Sequence, residues 1–368
     1  MAPKYKFMIP NHPRIRPIKV FIGIAFVLAI SCVAPAPKKT DVPPPTVSDL
    51  ALAESRATFI AVGDIMLSRG VARAIERERN PAFPFIRLAE LLSSTDFNFG
   101  NLETPISGND AVLGRNLIFN TRKSDIEGLT KYNFKIVTLA NNHALDQGIA
   151  GLRHTQSYLQ GRGIEHIGVG ENLVEAWRPK IVTASGIRIG FVGASYASIN
   201  DGGVATNPYV ARIEDEVNLK AAIERLKPDC DLIVATLHAG VEYTRRPHGP
   251  QIAFARAAID AGADIVIGHH PHWIQTLEQY QGKFIFYSLG NFIFDQRKPD
   301  TKEGLMLRIS VRRKSTGDPR NSRANIDQIE LLPVVIEQLG QPRPATQIET
   351  ESIFRKIGVA GPILRPNL

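Results

Sequence analysis

The chain has 368 residues, 43% hydrophobic and 22% charged, an ordinary globular composition that excludes wholesale disorder and allows one large core or two modest ones. Its formal charge of +8 falls to +3 once residues 1–31 are set aside, because Lys4, Lys6, Arg14, Arg16 and Lys19 lie there without an acid. What remains is an ordinary folded surface, and no nucleic-acid partner is expected from charge.

Those five cations precede the eleven apolar residues VFIGIAFVLAI (20–30), then Ser31 and Cys32. A basic lead, a short apolar stretch and a small residue form a secretory signal, and eleven residues are too few for an ordinary membrane-spanning helix. The segment LAISC (28–32) resembles a bacterial lipoprotein cleavage box, with Ala29 where leucine is usual. This resemblance implies a signal over 1–31, an acylated Cys32, and an exported, membrane-anchored protein of the cell envelope. An ordinary signal peptide or an uncleaved anchor is the alternative. Residues 32–56, rich in proline and poor in apolar bulk, form a semi-rigid tether. Cys230, the other cysteine, adjoins an apolar strand and reads as a small buried hydrophobe.

The folded domain is expected over 57–340. TFIAVGD (58–64) has the form of a central strand ending on a carboxylate. Helices follow over about 70–79 and 84–93. FNFGNLE (97–103) and FKIVTLANNH (134–143) are further strands ending on polar groups. A helix fits 147–161 and a strand 164–170. Residues 179–195 form a hairpin turning at Ser185-Gly186. Helix 211–226, strand 231–240, helix 250–261 stopped by Gly262, and strands 263–272 and 282–292 complete the alternation. Two late strands, 303–314 and 326–338, flank a polar loop. The tail 341–368 is Pro-rich, weakly patterned and expected to be irregular. Alternating elements with near-continuous apolar strands predict an α/β fold with strands buried on both faces.

Six polar phrases stand at the ends of six strands: GDIM (63–66), NLE (101–103), NNH (141–143), HAGVEY (238–243), GHHPH (268–272) and SLGNF (288–292). The carboxyl edge of an α/β sheet is where side chains from several strands converge on a ligand. Asp64, Glu103, Asn142, His143, His238, His270 and His272 together offer a mixed oxygen and nitrogen donor set. Such a set suits divalent manganese, iron or zinc, and a pair of ions sharing a carboxylate activates water for attack on phosphorus or a carbonyl carbon.

In this order, the six phrases resemble the bacterial capsule synthesis, or poly-gamma-glutamate biosynthesis, CapA family, a branch of the calcineurin-like metallophosphoesterase superfamily. The resemblance spans about residues 58–295 and implies a metallophosphoesterase-like β-sandwich flanked by helices (αββα) with a two-metal site. Carried over by motif, it makes Asp64, Glu103, Asn142, His238, His270 and His272 the metal set. Glu103 then stands as the bridge and His143 as the non-ligand histidine that protonates a leaving group. Glu242, Tyr243, Arg245 and Asn291 become candidates for substrate contact. Three departures stand out: Ile65-Met66 replaces the second half of Asp-x-His, Glu103 stands where Asp is usual, and Ala239 interrupts His-Trp-Gly. His269 could take the place of the missing ligand or simply pack.

Taken singly, several of these residues have simpler readings. Asp64 could cap the helix near residue 70, Asp146 could cap the helix after Asn141-Asn142, and a lone His143 or His238 could be a hydrogen-bonded structural histidine. Three histidines in four positions of GHHPH rarely serve packing alone. Two functions follow. One is a metal-dependent hydrolase, phosphoesterase-like or amide-cleaving, acting on an anionic envelope polymer or its precursor. The other is a non-catalytic accessory subunit that holds such a polymer within a membrane synthesis or export complex.

Overall fold

A computed structural model describes residues 54–366 apart from 110–116, 199–206, 315–322 and 339. The signal, Cys32 and the tether as far as residue 53 therefore lie outside the described residues, as does most of the polar loop after residue 314. The first strand, β1 (Glu54–Ile65), begins three residues inside the expected tether.

Strict alternation along each central strand shows why both faces are apolar. In β1, Phe59 and Ala61 belong to one buried cluster, whereas Ile60 and Val62 belong to another. In β7 (Leu232–His238), Leu232 and Val234 share the cluster of Phe59, and Ile233, Ala235 and Leu237 face away from it. A strand with period-two side chains and no polar face must be covered twice. The chain meets that demand with two sheets against one another and helices outside both, the sandwich implied by the resemblance.

The larger sheet contains, besides β1, the parallel strands β2 (Phe97–Leu102), β3 (Phe134–Thr138) and β4 (Glu165–Ile167). On the other side of β1 lies the antiparallel meander β12 (Glu303–Lys314), β13 (Ala324–Glu337) and β14 (Gln341–Pro344). The smaller sheet runs β5-β6-β7-β8-β10-β9, where β5 (Lys180–Ala184) and β6 (Ile187–Ser195) form the expected hairpin. Here β8 (Ile265–His269) pairs parallel with β7 and with β10 (Lys283–Phe286), and β9 (Leu277–Tyr280) closes the edge. Phe59, Phe97, Phe99 and Phe191 pack ring on ring between the sheets, with centroids 5.0–6.2 Å apart.

Outside the larger sheet, α1 (Arg69–Glu78) contributes Val71 and Ile75, and α4 (Gly148–Gly161) contributes Leu152 and Leu159. Between them in sequence come a 3-10 turn (Phe83–Leu88) and two short helices, α2 (Ala89–Ser93) and α3 (Glu127–Lys131). The smaller sheet is covered by α6 (Glu216–Leu226) and α7 (Gly249–Ala261), with a short α5 (Leu173–Ala176) before the hairpin. Cys230 is buried in that outer cluster, and burial pushes its thiol up to about 12, which makes it an inert hydrophobe. Among the described residues no helix is long and apolar enough to cross a membrane.

The C-terminal tail corrects an expectation. Residues 341–364 are ordered as β14, helix α8 (Gln347–Ile357) and β15 (Ile363–Leu364), which pairs with β13. Thr346 and Glu349 form a reciprocal capping box, Gly358 ends the helix at φ 73°, and Ile353, Phe354 and Ile357 join the inter-sheet core. Helix propensity and capping were present in the sequence but were masked by the flanking prolines.

Register brings the strand ends to one level. Asp64 lies opposite Asn101 on β2 and opposite Asn291 on β11 (Asn291–Ile293), Asn101 opposite Thr138, and His238 opposite His269. Backbone approaches closer than a Cβ allows make this possible. A Cβ at Gly63 would sit 2.0 Å from the Gly290 carbonyl oxygen, and one at Gly268 would sit 2.1 Å from that of Tyr287. Gly268→Ala is accordingly expected to cost about 2–3 kcal/mol, seen as a lowered urea midpoint at unchanged slope.

Candidate metal centre

Every residue of the expected metal set reaches one place. Asp64, Glu103 and His238 are fully buried, and His270, His272, His143 and Asn142 are no more than 7% exposed. Asp64, Glu103 and His272 present donor atoms within 4.8 Å of one another. Beside them, His238 Nε2 lies 2.8 Å from Asn142 Oδ1 and 3.1 Å from His270 Nδ1. Glu103 Oε1 stands 4.0 Å from His238 Nε2 and 3.7 Å from His143 Nε2, so this carboxylate lies between the two donor groups.

Local structure explains how each ligand is aimed. Ser68, not Asp64, stands at the N-cap position of α1, and it makes no side-chain capping bond. Asp64 Oδ1 accepts from Asn101 Nδ2 at 2.8 Å and its Oδ2 accepts from the His270 backbone N–H at 3.3 Å. Asn101 also reaches His238 Nδ1 at 3.1 Å, while its Oδ1 accepts from Asn141 Nδ2. Asn141 in turn holds the Leu102 carbonyl and the His143 N–H. His270 (φ 100°), His272 (φ 58°), Tyr243 (φ 62°) and Arg69 (φ 49°) are four of the nine non-glycine residues with positive φ among the described residues. Strained backbone of this kind gathers where surrounding structure overrides local preference to place side chains.

One simpler reading and one expected substrate contact are replaced by other roles at the site. Asp146 does not cap α4, whose N-cap is Gln147. Its Oδ2 instead lies 2.8 Å from His143 Nδ1, and the His143 ring stacks on Phe119 with centroids 3.9 Å apart. Asn291, expected to contact substrate, is fully buried, and both ends of its amide are in use. Its Nδ2 donates to the Thr301 carbonyl, so its Oδ1 accepts from His272 Nδ1 at 2.9 Å and leaves Nε2 with the lone pair. Arg245 is also engaged, donating to the Ile274 carbonyl, pairing with Asp300 and Glu303, and lying over Trp273. Tyr243 and exposed Glu242 remain toward solvent, with the Tyr243 ring 6.1 Å from that of His272. Burial, with Glu242 beside it, pushes the Tyr243 hydroxyl up to about 12.

Met66, where Asp-x-His would place a histidine, is fully buried in the outer apolar cluster of the larger sheet, so no imidazole arrives from that position. His269 is also fully buried, edge-on to Phe99, with Nδ1 3.5 Å from Asp64 Oδ1 and neither ring nitrogen hydrogen-bonded.

The electrostatics are those of a site short of positive charge. Burial opposes the ionised Asp64, yet contacts with His269 and His272 hold its carboxyl well below the usual range. Burial and then the Asp64 charge push Glu103 well above it. Burial and neighbouring imidazoles hold His238 well below the ordinary histidine value and bring His270 down to about 3. Both oxygens of Glu103 are buried without a hydrogen-bond partner. A buried carboxylate left alone is costly, and a divalent cation among these donors satisfies it, so the residues present fit a metal.

Strand-end carboxylates, an amide and paired imidazoles above a helix-flanked sandwich define an α/β protein with a metal-type centre. Residues 58–296 match the model of the bacterial capsule synthesis protein PGA_cap, and the chain belongs to that family. It is 30% identical over 312 residues to the capsule biosynthesis protein CapA of Bacillus anthracis, covering 82% of this chain and 73% of that one. The PGA biosynthesis protein CapA of Bacillus subtilis is 30% identical over 300 residues, covering 80% of this chain and 78% of its own. A relative from Mycobacterium tuberculosis, named a probable polyglutamine synthesis accessory protein, is 27% identical over 338 residues, covering 80% and 88%.

The opposed shifts give a signed prediction for the metal-free chain. Glu103, with a raised value, costs stability as pH rises above its ordinary 4.5, whereas His238 and His270, with lowered values, cost stability as pH falls below their ordinary 6.5. Glu103→Gln is therefore expected to raise metal-free stability at pH 7 by about 1–3 kcal/mol and to leave a stability that only falls as pH drops below 6.5. Thermal denaturation with and without added manganese checks both halves, because the same variant should lose the rise in melting temperature that metal gives the parent chain.

Proposed function

We propose that this chain is a metal-dependent hydrolase, phosphoesterase-like or amide-cleaving, that acts in synthesis or remodelling of a capsular or poly-gamma-glutamate type envelope polymer. The observation that carries this reading is the unpartnered Glu103 carboxylate between two groups of donors. Asp64, Glu103 and His272 would hold one ion and Asn142, His238 and His270 a second, with Glu103 shared. When bound, such metal supplies Lewis-acid chemistry, polarising the scissile group and making water acidic enough to attack near neutral pH.

The rest of the chemistry belongs to the chain. Asp146 takes the Nδ1 proton contact of His143 and so fixes the tautomer and the tilt of the ring, which Phe119 backs by stacking. His143 Nε2 is thereby aimed toward Glu103 and the centre, where the doubly protonated ring would give its Nε2 proton to the departing oxygen or nitrogen of the cleaved bond, keeping the Nδ1 proton in its contact with Asp146. Asn101 and Asn141 hold Asp64, His238 and the His143 backbone in register, and Asn291 holds His272. Tyr243 and Glu242, with Arg245 behind them, would face the polymer.

Metal analysis of the purified chain, with manganese, iron and zinc each supplied in turn, tests the reading directly. About two equivalents are expected, with loss in His270→Ala. His143→Ala should keep its metal and lose about 100- to 10,000-fold in hydrolysis of a phosphoester or γ-glutamyl amide substrate. A chain that takes up metal but cleaves neither bond type would favour the accessory-subunit reading, which the buried Met66 at the Asp-x-His position supports. Anchoring through Cys32 is a separate part of this proposal, supported by the LAISC segment. Metabolic labelling with a fatty acid should mark the chain and fail to mark Cys32→Ser.

A further inference from the structure

Arg69 is the cation beside this centre that metal binding does not explain. It opens α1 with a left-handed backbone, and its guanidinium is held from three directions. Nη2 pairs with Asp295 Oδ1, while Asp295 Oδ2 accepts the Gly70 N–H at 2.9 Å. Gly70 is needed there, because a Cβ would fall 2.8 Å from that same oxygen. The guanidinium carbon lies 4.8 Å from the Phe119 ring centre and 5.7 Å from that of Phe294. These are the rings that wall the centre: Phe119 stacks on His143, and Phe294 meets His272 edge-on at 4.8 Å.

Arg69 is held in a strained position, with a positive φ and a buried Nε that has no hydrogen-bond partner. Its side chain is nevertheless 15% exposed, so the outer end of the guanidinium, and not Nε, is what a ligand can reach. Its charge also reaches inward, opposing the upward shifts of Glu103 and Tyr243. Arg245 differs, since its head already meets two carboxylates and a carbonyl. A guanidinium fixed in advance and partly exposed offers its outer N–H groups to the oxygens of a carboxylate or a phosphate.

We propose that Arg69 is the anion receptor of this centre, gripping a carboxylate or phosphate of the substrate while Asp295, Phe119 and Phe294 hold its guanidinium in place. The proposal rests on the reading of the centre as a substrate-bearing metal site and names the substrate group next to the cleaved bond. An anion held by a rigid fork is positioned as well as bound, which is how such a residue would favour one register of a repetitive acidic polymer over its neighbours.

The test uses the full chain loaded with manganese, with metal content and melting temperature recorded for every sample. Inorganic phosphate and glutarate are titrated separately by calorimetry. Arg69→Met is expected to weaken the anion that binds by about ten- to a hundredfold, Arg69→Lys by less, and the surface control Arg153→Gln not at all. Tighter phosphate identifies a phosphoester group, and tighter glutarate a carboxylate polymer. If Arg69→Met fails to fold, Asp295→Asn keeps the arginine but loosens it, and a several-fold loss is expected instead. Folded, metal-loaded Arg69→Met that binds both anions like the parent overturns the proposal, as does a metal-loaded parent that binds neither. A parent chain that takes up no metal overturns the hydrolase reading instead, and the same titrations on the metal-free chain then decide Arg69 alone.

Discussion

The Glu103 carboxylate is the constraint around which this structure is organised. It is fully buried, has no hydrogen-bond partner and sits beside a second carboxylate, Asp64, held in its ionised form. Such an arrangement is unstable by itself in a low-dielectric interior. His143 and His238 approach the Glu103 carboxylate at 3.7 and 4.0 Å, and the asparagines of the strand ends hold the neighbouring donors rather than Glu103 itself. Stability is given up locally and recovered in the two apolar layers of the sandwich beneath.

Support passes through amides more than through charges. Asn101 joins Asp64 to His238, Asn141 joins Asn101 to the His143 backbone, and Asn291 joins His272 to the Thr301 carbonyl. An amide offers a donor and an acceptor at fixed separation without adding to the local charge, which suits a site that already carries two acids. The one charged support, Asp146, serves His143, whose Nδ1 lies 2.8 Å from Asp146 Oδ2. Backbone strain at Arg69, Tyr243, His270 and His272 belongs to the same economy of placement, since relaxed strand-to-loop turns would point these side chains elsewhere.

The absence of a histidine at position 66 has a physical setting. Met66 packs in the outer core of the larger sheet, so a histidine there would need a rebuilt apolar layer. His269 stands near Asp64 from the inner side but remains 3.5 Å away. The C-terminal segment is tied to this frame as well: Lys356 on α8 pairs with Asp300 and Glu303, the same carboxylates that engage Arg245. Residues beyond the matched family segment thus brace a loop that leads to the centre.

The sequence by itself determined the alternation of strands and helices, the two-sided burial of the strands and the six polar phrases at their ends. These are local properties: period-two apolar runs, glycine stops and imidazoles in close succession can be read without knowing what lies opposite. It also brought all six expected ligands to one centre through their motifs. Tertiary structure decided which neighbours serve them. Asn101 looked like part of a strand, Asp146 like a helix cap and Asn291 like a substrate contact, because an amide or carboxylate carries no mark of its partner until register is set. Arg69 and Asp295 are 226 residues apart in sequence and meet only when β11 lies against β1. Helix α8 was missed for a related reason. Its capping box was legible, but its stability comes from Ile353, Phe354 and Ile357 entering a core built by distant strands, and long-range burial of that kind has no local signature.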